Sequence, residues 1–257
     1  MIRVVLNGAA GRMGRAVTAA AVGATDLSIA ACVDRTRGEG AGPWYTDLGA
    51  AVQPGDVVVD FSGPEGARQA AAVCAANGAA LVTGSTGLAA ADEAALADAA
   101  RRVAVLRANN FSIGVAALRV ALKAALAAVP GSWDVELVER HHRLKKDSPS
   151  GTAVTLVNDV RAARGLAPEA VKHGREGLVG PRPAAEIGVH AVRGGTWVGD
   201  HTVLLAGEGE WLELRHVAQD RAAFAHGALA AVRFLVTAAP GSYTLEDVLS
   251  GPGPRKH

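Results

Sequence analysis

Apolar residues in the first hundred or so positions fall in short runs separated by stretches of helical period. Residues 2–7 (IRVVLN) are β-branched and nearly continuous, which predicts a strand buried on both faces. Residues 27–33 (LSIAACV), 56–61 (DVVVDF), 79–83 (AALVT) and 103–108 continue the series as strands. Helices are expected over 12–23, 65–76 and 91–102, the second opened by Pro64, whose missing N–H does no harm at a first helical position. Strands alternating with helices imply βαβ units and a parallel, doubly wound sheet. The units share no sequence register, so they do not form a repeat array.

The pattern then changes. Residues 112–129 predict a long helix stopped by Pro130-Gly131. A strand over 133–140 (WDVELVER) leads into a polar, basic loop. A helix over 150–164 follows, with Ser150 as N-cap and Gly165 as stop. Strands are expected at 186–193, 201–206 and 210–217, the last alternating Trp211, Leu212, Leu214 and Val217 with Glu213, Arg215 and His216. Consecutive strands with short links indicate an antiparallel or mixed sheet and so a second α+β domain. Residues 166–185 read as one long loop, and a final helix spans about 220–237.

Composition narrows the classes. The chain has 257 residues, 49% of them hydrophobic, enough for one large or two small cores. Its 26 basic and 25 acidic residues leave a net charge of +1, so no basic field invites nucleic acid or an anionic membrane surface. Aromatic content of 4% argues against base stacking. The longest apolar stretch, 113–129, carries Arg119 and Lys123, so no membrane span is expected. No secretory leader is visible at the start, and two cysteines, Cys32 and Cys74, suit a reducing cytoplasm better than a disulfide framework.

The first chemical signal is Gly8-Ala9-Ala10-Gly11-Arg12-Met13-Gly14, placed between a strand and a helix. Glycines there permit a tight turn and close approach of a pyrophosphate to backbone N–H groups at a helix N-terminus. The spacing is GxxGxxG, not the commoner GxGxxG. Asp34 ends the second strand, twenty residues past Gly14, where a carboxylate accepts adenosine ribose hydroxyls and favours NADH. Its neighbour Arg35 suits a 2′-phosphate and favours NADPH. The pair leaves both cofactors open.

The second signal is Glu139-Arg140-His141-His142-Arg143-Leu144-Lys145-Lys146-Asp147-Ser148-Pro149-Ser150-Gly151-Thr152-Ala153. Gly151 and Thr152 fall at the first helical positions, whose N–H groups lack intrahelical partners and suit a bound carboxylate. Lys145 and His142 complete a clamp for a dicarboxylate. His141 and Lys145 are both candidates to deliver a proton. A metal site is not expected: adjacent histidines diverge on a strand, no cysteine is near, and no HExxH spacing occurs.

These motifs, with DFSGPEG at 60–66, GSTG at 84–87, ANNFSIGV at 108–115 and RGGTWVGDHTV at 193–203, run in one order along the whole chain. In them the chain resembles the bacterial 4-hydroxy-tetrahydrodipicolinate (dihydrodipicolinate) reductases, and HHxxKxDxPSGTA is the specific element. The resemblance implies a Rossmann-like cofactor domain, residues 1–112 completed by 222–257. It implies a second α+β domain of mixed sheet, 113–221, for substrate binding and tetramerisation. It implies reduction of a cyclic dicarboxylate by NADH or NADPH without a metal, in a cytoplasmic homotetramer of the diaminopimelate route to lysine. By the same resemblance Gly8, Ala9, Ala10, Gly11, Arg12 and Met13 hold the pyrophosphate, and Asp34 and Arg35 meet the ribose. Gly84, Ser85 and Thr86, with Ala108, Asn109, Asn110 and Phe111, line the nicotinamide half. His141 and Lys145 are the proton-transfer candidates; His142, Gly151 and Thr152 bind substrate carboxylates. One departure is Gly63, where some family members carry a basic residue; without it NADPH loses a contact. A semialdehyde-type dehydrogenase is the rival enzyme and needs a reactive cysteine. A non-enzymatic nicotinamide sensor leaves the HHRLKK loop unexplained, and a serine hydrolase lacks GxSxG.

Overall fold

The structure is a computed structural model describing residues 1–38 and 42–251. Along the chain the elements are β1 (Ile2–Asn7), α1 (Arg12–Ala21), β2 (Leu27–Val33), β3 (Trp44–Tyr45), α2 (Leu48–Ala51), β4 (Val57–Asp60), α3 (Pro64–Asn77), β5 (Ala80–Thr83), α4 (Ala90–Ala100) and β6 (Ala104–Arg107). They continue with α5 (Ile113–Ala128), β7 (Asp134–His141), α6 (Gly151–Arg164), β8 (Val171–His173), β9 (Ile187–Arg193), β10 (Gly199–Ala206), β11 (Trp211–Ala218), α7 (Ala222–Leu235), β12 (Gly241–Tyr243) and α8 (Leu245–Ser250). The chain divides into two compact units, Met1–Ile113 with the stretch from Arg221 onward, and Gly114–Asp220. Of the C-terminal segment 222–257 assigned to the first domain, residues 252–257 lie outside the described residues.

In the first unit seven strands form one parallel sheet of order β12-β6-β5-β4-β1-β2-β3. Its central strands are buried on both faces, which is why Val4, Val5, Leu6 and Val57, Val58, Val59 run without alternation. Val5, Val33, Val58, Leu81 and Val105 form a core with residues of α2, α3 and α4. The helices α1 and α7 pack together, and α7 lies against β4, β5 and β6. The sheet order reverses at β1, flanked by β2 and β4, and ligands of such sheets bind outside the strand ends at this switch point.

The second unit carries a mixed sheet of order β11-β10-β7-β9-β8, antiparallel at β11-β10-β7 and parallel at β7-β9-β8. Val135, Leu137, Ile187, Val189, Val203 and Leu205 bury one face against Ala153, Leu156, Val157 and Val160 of α6 and Leu118 and Leu122 of α5. Each fully buried aliphatic side chain of this kind contributes about 1.5–3 kcal/mol. Helix α6 begins and ends on the expected residues. Ser150 Oγ accepts from Ala153 N–H at 3.2 Å, and Gly165 closes the helix in the left-handed region.

The structure differs from the sequence reading at its smallest elements. Residues 166–185 are not one loop: a 3-10 turn at Pro168–Ala170 leads into β8, which adds to the sheet edge. The edge strands β3 and β12 and the helices α2 and α8 were not expected either. Two- and three-residue strands are too short to show a period, and Pro240-Gly241 reads as a turn. Among the described residues no helix is long and apolar enough to cross a membrane.

Candidate active site

In the first unit the glycine turn is pinned to the end of β2. Gly8 and Ala9 N–H both donate to Val33 O, at 2.9 and 3.2 Å. Gly8 sits at φ +80°, and a Cβ on Gly14 would stand 2.4 Å from the carbonyl oxygens of Gly8 and Ala9. Only glycine permits that closeness. Helix α1 then starts at Arg12 behind Gly11, with no side-chain cap and no acid in its first turn. Its leading N–H groups and its positive dipole end therefore suit a pyrophosphate. Arg12 is exposed and Met13 half-buried.

Asp34 is half-buried and one of its oxygens is already engaged: Oδ2 accepts from Ala10 N–H at 3.0 Å. It braces the glycine turn as well as marking the end of β2. Arg35 and Arg37 beside it are exposed. Gly63 has φ +117° and caps α3 without a side chain.

A residue that sequence reasoning passed over organises this end of the sheet. Asp60 is fully buried, and among the described residues no cation pairs with it. Its Oδ1 accepts from Asn7 Nδ2 at 2.9 Å and from the N–H and hydroxyl of Ser62. Its Oδ2 accepts from Thr83 Oγ1 and Ser85 Oγ, both at 2.8 Å. Ser85 Oγ also accepts from Gly63 N–H at 2.8 Å. The Ser85 side chain is thus buried and committed to the loop, whereas Gly84 is half-buried and Thr86 exposed. Phe111 is also buried, edge-on to Phe61 at 5.5 Å. Ala108 is half-buried and Asn109 exposed, and Asn110 Oδ1 accepts from Ser112 N–H at 2.8 Å.

In the second unit the face under α6 changes character along the strands. Register places Val135 beside Ile187 and Leu205, then Leu137 beside Val189 and Val203. The next rows are polar: Glu139 opposite His201, then His141 beside Arg193. Glu139 is completely buried, so its charge needs partners. Arg193 donates to both of its oxygens, at 2.7 and 2.8 Å; Ser150 N–H donates at 3.0 Å and His141 Nδ1 lies at 2.5 Å. Burial pushes the Glu139 pKa up, but hydrogen bonds from His141 and Arg193 outweigh that and hold it at about 2. Glu139, Arg193 and His201 were not among the expected site residues. The signal for Glu139 was legible: it occupies a buried position in the alternation of β7, following Val135 and Leu137.

The loop from His142 to Pro149 is tied down at several points. His142 N–H donates to Trp197 O at 2.8 Å, while its buried Nδ1 has no partner among the described residues. Lys145 Nζ pairs with Asp147 Oδ2 at 2.9 Å and holds the Asp147 pKa below its usual value. Arg193 Nη2 donates to Asp147 O at 2.7 Å. Lys146 is exposed. Ser148-Pro149 is a cis peptide bond, and both residues wall a cavity of about 380 Å³ with His173, Val189 and His190. Gly151 is exposed and Thr152 half-buried in the first turn of α6, which contains no acid. The structure thus gathers His141, His142, Lys145 and the N-terminus of α6 at one end of this unit.

Cys32 and Cys74 are both buried, and burial pushes both thiols up. Neither is placed to serve as the nucleophile a semialdehyde dehydrogenase needs. Among the described residues no group of three or more His, Cys, Asp or Glu is placed to hold a metal ion.

A doubly wound parallel sheet with a glycine turn and a helix N-terminus at its switch point defines a Rossmann-like, nucleotide-binding class. Residues 2–111 match the family model for dihydrodipicolinate reductase, N-terminus, and residues 114–249 that for dihydrodipicolinate reductase, C-terminus. The chain belongs to the dihydrodipicolinate reductase family. It is 42% identical to the 4-hydroxy-tetrahydrodipicolinate reductase of Myxococcus xanthus, over 97% of this chain and 98% of that one. It is 44% identical to the enzyme of the same name from Thermomicrobium roseum, over 97% and 100%. Among solved structures it is similar to a dipicolinate-bound dihydrodipicolinate reductase from Paenisporosarcina sp. TG-14, at 25% identity and a TM-score of 0.81, covering 96% and 99% of the two chains.

The buried histidine yields a pH prediction. The His201 pKa is pushed down to about 4, first by burial and next by neighbouring His141. Unfolded, the ring takes up its proton near the ordinary 6.5, so the unfolded chain binds the proton first. This contribution is complete above pH 6.5 and is lost as pH falls towards 4. Urea unfolding free energies should decline across that window. His201→Gln should flatten the decline by up to one proton, about 1.4 kcal/mol per pH unit. An unchanged slope would place the acid sensitivity elsewhere.

Proposed function

We propose that this chain reduces 4-hydroxy-tetrahydrodipicolinate, or the dihydrodipicolinate left when water is lost, to tetrahydrodipicolinate in the diaminopimelate route to lysine. The observation that carries the reading is the end of the second unit, where a cationic loop precedes a helix whose first turn is open to a carboxylate. A ring bearing two carboxylates meets Gly151 and Thr152 N–H groups on one side and His142 and Lys145 on the other. A nicotinamide cofactor held by the first unit would supply the hydride for a ring carbon. The ring nitrogen takes a proton from Lys145 or His141 as its electron pair is released from the C=N bond. The Lys145–Asp147 pair keeps the ammonium near the loop, and an incoming carboxylate competes with Asp147 for it.

In the first unit Gly8, Ala9, Ala10, Gly11, Arg12 and Met13 hold the pyrophosphate. Gly84 to Thr86 and Ala108 to Phe111 serve the nicotinamide half; for Ser85 and Phe111 this is through backbone position, since their side chains are buried. Asp34 favours NADH and Arg35 favours NADPH. A charge-assisted contact contributes about 1.5–3 kcal/mol, so the two nearly offset. Residues 1–112 with 222–257 form the cofactor domain and 113–221 the substrate and assembly domain of a cytoplasmic homotetramer. The assembly is supported by β11, an edge strand that leaves Trp211 at 69%, Val217 at 49% and Leu212 at 36% exposure. Soluble chains rarely leave such an apolar edge uncovered.

The reaction is tested by generating substrate in situ from pyruvate and aspartate semialdehyde with a synthase and following nicotinamide oxidation. In that assay Lys145→Ala should lose roughly 10²–10⁴ in turnover, as expected for a proton donor. Lys146→Ala should chiefly alter KM, and equal losses would refute the assignment. Both cofactors should serve within about tenfold of each other. Dissociation constants should show Arg35→Ala weakening NADPH more than NADH, more so at low salt, and Asp34→Ala doing the reverse. An unchanged ratio in Arg35→Ala would put the 2′-phosphate elsewhere. Sedimentation at working concentration should give a tetramer; a stable monomer would reject the assembly.

A further inference from the structure

Glu139 is more than a buried charge with partners, because of what those partners are. Its two oxygens receive four donors: Arg193 Nη2 and Ser150 N–H on Oε1, Arg193 Nη1 and His141 Nδ1 on Oε2. A carboxylate accepts only, so the proton of a neutral His141 ring resides on Nδ1 and its lone pair on Nε2. That is the reverse of the form free histidine prefers in water. Nε2 faces Gly199, where a Cβ would stand at 3.2 Å and crowd that edge of the ring.

The other ionisable groups around the ring do not compete for this role. His201 on β10 crosses the His141 ring edge-on, with centroids 5.1 Å apart, and its Nε2 is occupied by Ser150 Oγ at 3.0 Å. Arg193 on β9 is committed to Glu139 and to Asp147 O. Asp200 on β10 is held by Arg140 and Arg215. His216 on β11 acts on His201, and in the loop Lys145 pairs with Asp147. Of these, only Glu139 bonds His141 Nδ1. The Glu139–Arg193 pair also reaches the loop, since the same guanidinium that caps Glu139 holds the backbone of Asp147, whose side chain holds Lys145.

We infer that Glu139 is a positioning residue for this reduction: it locks His141 as the Nδ1–H tautomer, so that Nε2 is the atom offered to the substrate. Through Arg193 it also anchors the loop that presents Lys145. The consequence for turnover rests on the proposed reaction; the tautomer lock rests on the geometry alone. The logic is that of a buried acid orienting a catalytic imidazole.

The ring state is read directly by long-range proton–nitrogen correlation on intact protein labelled with nitrogen-15 at histidine. His141, assigned by the loss of its signal in His141→Gln, is expected in alkaline solution as the neutral Nδ1–H form. A neutral Nε2–H form would overturn the inference. In Glu139→Ala no acceptor faces Nδ1, so the lock is released. The His141 signal should move towards a mixture of tautomers, and kcat should fall at least about tenfold. The KM for the nicotinamide cofactor should stay within about twofold. An unmoved His141 signal or an unchanged kcat in that variant would equally overturn the inference. Should Glu139→Ala fail to fold, the wild-type ring signal still decides. Wild-type protein that shows the Nδ1–H form yet lacks reductase activity would refute the reaction and leave the lock standing. Activity with the Nε2–H form would refute the lock alone.

Discussion

A carboxylate taken out of water must have its oxygens filled, and the second unit is arranged around meeting that demand at Glu139. The residue sits on the face of β7 that elsewhere packs Val135 and Leu137 against α6. Leaving it unpaired there would cost several kcal/mol. Four donors satisfy it, and they come from three pieces of the site: the ring of His141, the guanidinium of Arg193 twice, and the backbone of the α6 N-cap. The demand of one buried charge therefore sets the orientation of a histidine, the start of a helix and the anchoring of a loop.

The first unit solves a similar problem with neutral groups. Asp60 is as buried as Glu139, yet its donors are an amide, three hydroxyls and a backbone N–H. Those donors belong to the ends of β1 and β5 and to the loop after β4. They fix the strand ends at the switch point without placing a cation there, and the backbone N–H groups left to a ligand are those of the first turn of α1. The two units thus differ in where positive charge resides: on helix ends and exposed arginines in one, on a structured cationic loop in the other.

Both units leave a helix N-terminus free of acidic side chains, at α1 and at α6. In α6 the N-cap hydroxyl is itself tied to His201, so the helix start cannot shift without disturbing a buried ring. Burial of His201 keeps that ring neutral near physiological pH. The Lys145–Asp147 pair, by contrast, is partly exposed and screened, so it is the more readily exchanged contact.

Much of this was legible in the sequence. Continuous β-branched runs and intervening helices specified a parallel sheet, because burial on both faces removes alternation. Ser150 and Gly165 marked the ends of α6 because orphan backbone groups demand such residues. The motifs of the glycine turn and of 139–153 indicated the chemistry. Tertiary structure alone decided which side chains meet. Asp60 and Ser85 are 25 residues apart and Glu139 and Arg193 are 54 apart, and no local period links either pair. Ser85 and Phe111 proved to be buried struts, and β8 emerged from what read as a loop, because an edge strand of three residues exists only when a neighbour supplies its hydrogen bonds. The sequence by itself determined the longer elements and the kinds of residue at the site, since these follow from local periodicity and backbone satisfaction. Which oxygen receives which donor depended on strand register, a property of the folded sheet and not of any one segment.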